Sequence, residues 1–173
     1  MSLANSPRHE ILLPVKGWFI MLSLIIALLL NLVPLTGAAR TLQPDFVALV
    51  MLYWFINEPQ RVGISMAFWM GLFMDLGNAS TFGQHALGYS VMAFMALVFH
   101  HRVGIFDGYK QSPQIGLVLL SGQIVILLAG LFAGSPFPGW NFFLGSIVGM
   151  LLWPLLSAIL RVPQKPWSAS DAR

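Results

Sequence analysis

The sequence predicts an all-α integral membrane protein, in which about six transmembrane helices form a compact bundle. Hydrophobic residues make up 57% of the 173 residues and charged residues only 9%, whereas an ordinary soluble domain has about 25% charged residues. Proline, glycine and charged residues divide the chain into separate apolar segments. Eight of the nine basic residues fall on one side of the membrane when those segments cross it in turn.

The apolar segments predict the helices in order. They cover residues 16–35, 44–57, 62–78, 85–100, 114–133 and 140–161. The first could also be a signal peptide, but its apolar core of about 17 residues is longer than the roughly 7–15 of a typical signal. The second rises only about 21 Å, less than the roughly 30 Å hydrocarbon core. The second and third segments therefore predict either two spanning helices or a re-entrant hairpin.

Basic residues predict the orientation, because cytoplasmic loops of membrane proteins carry an excess of Lys and Arg. With the N-terminus inside, the outer face holds only Arg40, and the inner face holds Arg8, Lys16, Arg61, Arg102, Lys110, Arg161, Lys165 and Arg173. Three tryptophans, Trp18, Trp54 and Trp140, are predicted to anchor helices at the interfaces. We expect a cytoplasmic N-terminal segment at 1–15, a six-helix transmembrane domain at 16–161 and a disordered cytoplasmic tail at 162–173.

Several kinds of site are absent from the sequence. There is no cysteine for a disulfide or a thiolate metal site. The chain also lacks a G-x-S-x-G elbow, an H-E-x-x-H motif, a Walker A loop and a second acid well within an apolar segment. We therefore expect a protein that is not an enzyme and has no metal site and no cofactor. The formal charge of +3 is small and bears on membrane orientation, so we expect no nucleic-acid partner.

Polar residues interrupt the apolar sequence in the stretch GLFMDLGNASTFGQHAL, residues 71–87. Asp75 lies about 21 Å above Arg61 and therefore in the outer half of the membrane. Asn78 shares its helix face, and Gln84 and His85 open the next helix at the same level. Asp75 could accept hydrogen bonds from loop amides or His85, bind a partner or ligand, or relay protons. A structural acceptor would tolerate Asp75→Asn.

The second apolar segment begins with Pro44 and Asp45. We expect Pro44 at the first helical position, where its missing N–H costs nothing, and Asp45 within the first turn, where its charge complements the helix dipole. A contact between Asp45 and a partner is the alternative.

Small residues predict close helix packing. Gly63, Ala67 and Gly71 recur every four residues on one face, and Gly145 and Gly149 form a G-x-x-x-G step in the last helix. These faces either pack inside the chain or dock the membrane helix of a partner. We place the predicted partner surface on one of the two, and a homodimer remains a further alternative.

Five short motifs together resemble the MreD family of rod shape-determining membrane proteins. In chain order they are Gln43-Pro44-Asp45, Tyr53-Trp54, Pro59-Gln60-Arg61-Val62-Gly63, Gly71-Leu72 with Asp75, and Gly83-Gln84-His85-Ala86-Leu87. Each motif is made of common residues, and their order and spacing carry the resemblance, which extends over roughly residues 10–162. Phe46 departs from the tryptophan expected in many relatives.

The resemblance implies a non-enzymatic scaffold of the bacterial elongation machinery in the inner membrane. Its implied partners are MreC, a single-span protein, and through MreC the MreB filament, RodA and penicillin-binding peptidoglycan synthases, with membrane lipids around it. The implied fold is that of the substrate-binding subunits of energy-coupling-factor transporters. A transport subunit that binds a small molecule from the outer side is therefore the alternative function.

Overall fold

The computed structural model describes residues 16–79, 81–104 and 108–162, and these residues form helices and no strand. The predicted segment 1–15 and all but the first residue of the predicted tail lie outside the described residues. The helices are α1 Gly17–Asn31, α2 Ala38–Leu42, α3 Phe46–Asn57, α4 Ile64–Gly77, α5 Gln84–Gly104, α6 Gly108–Phe132 and α7 Leu144–Arg161, the last preceded by a 3₁₀ turn at Trp140–Phe143. The all-α prediction is confirmed.

Six helices of 12 or more residues correspond to the six apolar segments. Two of them, at Lys110–Phe132 and Trp140–Arg161, are long and apolar enough to cross a membrane. Their neighbours α1, α4 and the apolar part of α5 are shorter, so six crossings stay a prediction. The helix ends differ from the predicted ones: α6 begins at Gly108 and includes Pro113, whose missing N–H removes one hydrogen bond of the helix.

Helix α3 forms the centre of the bundle. All nine residues from 47 to 55 are buried, as expected for a helix that is apolar on every side. The helices α1, α5 and α7 pack around it, and α4, α5, α6 and α7 pack in sequence beside it. Trp54 is fully buried and donates from Nε1 to Ser23 Oγ at 2.9 Å. The prediction that Trp54 is an interface anchor is therefore wrong.

The small residues mark helix crossings inside the bundle. A Cβ atom on Gly71 would lie 2.5 Å from the backbone nitrogen of Ala86 in α5, and one on Gly149 would lie 3.1 Å from Leu119 in α6. Ala67 and Gly145 are buried as well. A partner-docking role for these four residues is wrong, because the bundle itself covers them.

Gly63 differs from the other small residues of its stripe. It lies just before α4, and a Cβ atom there would meet nothing within 4 Å. The stripe therefore contains one open position and two buried ones.

Candidate functional site

The loop between α4 and α5 is closed by the carboxylate of Asp75. One oxygen, Oδ1, accepts from His85 N at 2.9 Å and lies 2.7 Å from His85 Nδ1. The other, Oδ2, accepts from Gly83 N at 2.8 Å and from Ala86 N at 3.4 Å. Asp75 therefore caps the N-terminus of α5 from the neighbouring helix, where backbone N–H groups have no partner within their own helix.

This geometry changes what an amide at position 75 would do. Both oxygens of Asp75 accept from backbone N–H groups, whereas asparagine has only one acceptor oxygen and would direct an NH2 group at a second donor. The geometry therefore does not support the expectation that a structural acceptor at position 75 would tolerate Asp75→Asn.

A second carboxylate, Asp45, joins three helices. Its Oδ1 accepts from Ala48 N at 3.0 Å and from Asn31 Nδ2 at 2.7 Å, and its Oδ2 accepts from the Tyr89 hydroxyl at 2.6 Å. Asp45 is the N-cap residue of α3, which starts at Phe46. The capping interpretation is correct, but the predicted start at Pro44 is wrong, because the carboxylate capping Ala48 N places Asp45 just outside the helix.

Two side chains whose hydrogen bonds were not predicted connect the end of α1 to the start of α3. Asn31 donates to Asp45 and accepts from Phe46 N at 2.9 Å. Gln43 donates from Nε2 to Leu30 O at 3.0 Å, which satisfies a carbonyl at the C-terminus of α1. The position of Asn31 at the end of an apolar run was the available signal.

A polar cleft of about 510 Å³ lies beside these carboxylates. Its apolar wall includes Met74, Ile126 and Phe142, and its polar lining consists of Asn31, Arg40, Thr41, Gln43, Asp45, Asn78, His85, Gln123 and Asn141. Asn78 and His85, which were predicted to lie at one level, both line this cleft, and Asp45, which was not predicted to lie beside them, lines it too. Gln84 lines a separate cavity of about 170 Å³ next to Gly130 and Ser135, so it does not belong to the polar cleft.

An apolar groove of about 380 Å³ runs between α1 and α7. α1 contributes Phe19, Leu22, Ser23, Ile26, Ala27 and Leu30, α3 contributes Phe46 and Val50, and α7 contributes Leu152, Leu155, Leu156, Ile159 and Leu160. Sequence reasoning missed this surface, because its residues look like ordinary apolar helix positions.

The described residues contain no group of three or more His, Asp or Glu side chains that could hold a metal ion. The polar side chains are instead used to join helix ends. Chemically, the site offers hydrogen-bond donors, one guanidinium and a carboxylate held by three donors.

The family model for the rod shape-determining protein MreD matches residues 15–162. The chain belongs to the MreD family. It is 31% identical over 145 residues to the rod shape-determining protein MreD of Haemophilus influenzae. The aligned residues cover 83% of this chain and 90% of that protein. The resemblance found in the sequence is confirmed, and with it a role in rod-shape determination.

The relation to transporter subunits is a separate question. No solved structure matches the chain. The resemblance of the fold to energy-coupling-factor subunits therefore stays a prediction. Membership of a rod-shape family does not favour the alternative of a transport subunit.

Proposed function

We propose that the chain is a non-enzymatic scaffold of the cell-elongation machinery that binds the single membrane helix of an MreC-like partner. Through that partner it acts with an MreB filament, RodA and a penicillin-binding synthase to support localised peptidoglycan synthesis. Family membership supports the rod-shape role. The apolar groove supports the binding of one membrane helix.

The apolar groove is the observation that carries this proposal. α1 and α7 pack on α3 from two sides, which leaves Phe46 and Val50 of α3 at the bottom of the groove. Ser23 is the polar side chain among the described lining residues, and its hydroxyl is already bonded to Ile20 O at 2.7 Å and to Trp54 Nε1. Helices in lipid associate through close packing, and a groove offers a helix more contact than a convex face.

The proposed setting is the bacterial inner membrane, with several crossings and both termini in the cytoplasm. The eight-to-one distribution of basic residues supports this orientation. Exposed apolar side chains such as Leu117 and Phe132 support contact with lipid on the outside of the bundle. The 12 residues of α3 span only about 18 Å, which suits a helix surrounded by other helices.

Two matched pairs of variants test the groove. Ile26 and Leu155 line it with exposed fractions of 49% and 60%, while Ile124 and Leu117 lie on α6 outside it with 47% and 68%. We expect Ile26→Trp and Leu155→Trp to fill the groove and reduce co-purification of the MreC-like partner at least fivefold. Ile124→Trp and Leu117→Trp should bind it normally, because tryptophan there faces lipid.

The same four variants are then tested for rod shape in cells that lack the native protein. Groove variants should give rounded cells at normal membrane abundance, and the α6 variants should give rods. Normal partner binding by both groove variants, or equal loss in both pairs, would contradict the proposed function.

A further inference from the structure

The polar side chains of the cleft differ in how many hydrogen-bond partners they have within the chain. Asp45 is held by three donors and by the start of α3, so its carboxylate is stabilised within the chain. Arg40, on the short helix α2, is exposed, and its guanidinium makes no hydrogen bond or ion pair within the described ranges. The amide side chains of Asn78 and Asn141 also have no hydrogen-bond partner in that part of the chain.

These free groups define the chemistry that the polar cleft can bind. A guanidinium donates two parallel hydrogen bonds to a carboxylate or phosphate, and an amide adds donors and an acceptor at the sides. The wall formed by Met74, Ile126 and Phe142 suits an apolar neighbour of that anion. The combination fits a short polypeptide segment with an acidic side chain better than it fits a bare ion.

The position of the cleft indicates where such a segment comes from. Leu30 and Phe46 line the apolar groove, and the residues next to them in sequence, Asn31 and Asp45, line the polar cleft. The groove and the cleft therefore adjoin at the C-terminus of α1 and the start of α3. A helix that lies in the groove delivers the residues that follow it directly into the cleft.

We propose that the polar cleft binds an acidic segment of the same partner whose membrane helix lies in the apolar groove, and that Arg40 pairs with a carboxylate of that segment. The assignment depends on the proposed function for the partner. It explains why a basic residue lies on the predicted outer side, against the distribution of the other eight.

The test measures the affinity of the purified protein for the MreC-like partner in neutral phosphatidylcholine nanodiscs. Arg40→Gln should weaken binding about three- to tenfold and Arg40→Glu more than about tenfold. Arg61→Gln, which removes one positive charge outside the cleft, should bind like the native chain. Affinity of the native chain should fall with added salt, and that of Arg40→Gln should change much less.

A charge exchange identifies the partner atom. Each acidic residue in the ten or so positions after the partner's membrane helix is replaced by lysine, and one replacement should restore binding to Arg40→Glu. Native affinity in Arg40→Gln, or no rescue by any lysine, would overturn the assignment of the cleft while leaving groove binding intact. An effect of Arg40→Gln that occurs only in nanodiscs containing phosphatidylglycerol would assign Arg40 to a lipid phosphate and also overturn it. No binding by the native chain would overturn both proposals.

Discussion

Replacing Gly71 by serine should separate α4 from α5. A Cβ atom at position 71 would lie 2.5 Å from Ala86 N and 2.7 Å from His85 C, where ordinary contact begins near 3.4 Å. These are backbone atoms, so the helices would have to separate by about 0.9 Å. Asp75 lies one turn further along α4. The same displacement there would lengthen the distance from Gly83 N to Asp75 Oδ2 from 2.8 Å to about 3.7 Å, and the hydrogen bond would be lost.

The expected cost combines two effects. Overpacking costs about 1–3 kcal/mol, and each buried donor left without a partner costs about 1–3 kcal/mol. We expect the free energy of unfolding to fall by at least about 2 kcal/mol. The measurement heats the detergent-solubilised protein and follows the amount that remains folded by size-exclusion chromatography, which gives a lower thermal midpoint for the variant. Gly63→Ser is the matched control, because a Cβ atom there meets nothing within 4 Å and serine is a favourable N-cap. Equal thermal midpoints for the two serine variants would show that the crossing at Gly71 does not require a residue without a side chain.

Three further predictions concern the polar network and the orientation. Asp75→Asn should lower the free energy of unfolding about as much as Asp75→Ala, by about 1–3 kcal/mol, because the amide keeps an acceptor at only one of the two oxygen positions that Gly83 and His85 use. A thermal midpoint equal to that of the native chain would contradict this. Tyr89→Phe should cost about 1.5–3 kcal/mol in the same assay, because Asp45 loses a donor at 2.6 Å, and an unchanged midpoint would show that this bond does not stabilise the fold. A reporter fused after residue 165 should lie in the cytoplasm, and a reporter fused at residue 79 should lie outside it. The reverse pattern would show that the positive-inside prediction is wrong.

The helices could be predicted from the sequence because each is a local feature. An apolar run bounded by glycine, proline or charge predicts a helix without any knowledge of its neighbours. The end of a helix depends also on the side chains that cap it, as Asp45 does at the start of α3. The uniformly apolar surface of α3 indicates its central position only when the helices around it are known.

The candidate site was predicted in part for the same reason. Asp75 and His85 are ten residues apart on either side of a short loop, so the sequence alone brings them close. Asn31 and Tyr89 reach Asp45 over separations of 14 and 44 residues, and only the packing of α1 and α5 on α3 creates those bonds. No local pattern encodes a contact of that kind.

The glycines show the same limit. Gly63 and Gly71 belong to one stripe in the sequence, yet only Gly71 lies where another backbone crosses. The crossing of α5 and α6 at Gly88, beside Gly122 O and Ile126, was not predicted at all. A repeat of small residues indicates which face can pack closely, but the path of the neighbouring helix decides which residue must be small.

Site-specific photocrosslinking in living cells can show where the partner's membrane helix lies on the bundle. A photoreactive amino acid is placed at Leu155 in the apolar groove or at Leu117 on α6, two leucines of similar exposure. We expect a crosslink to the membrane helix of the MreC-like partner from position 155 and none from position 117. A crosslink from position 117 with none from position 155 would contradict the placement of the partner in the groove.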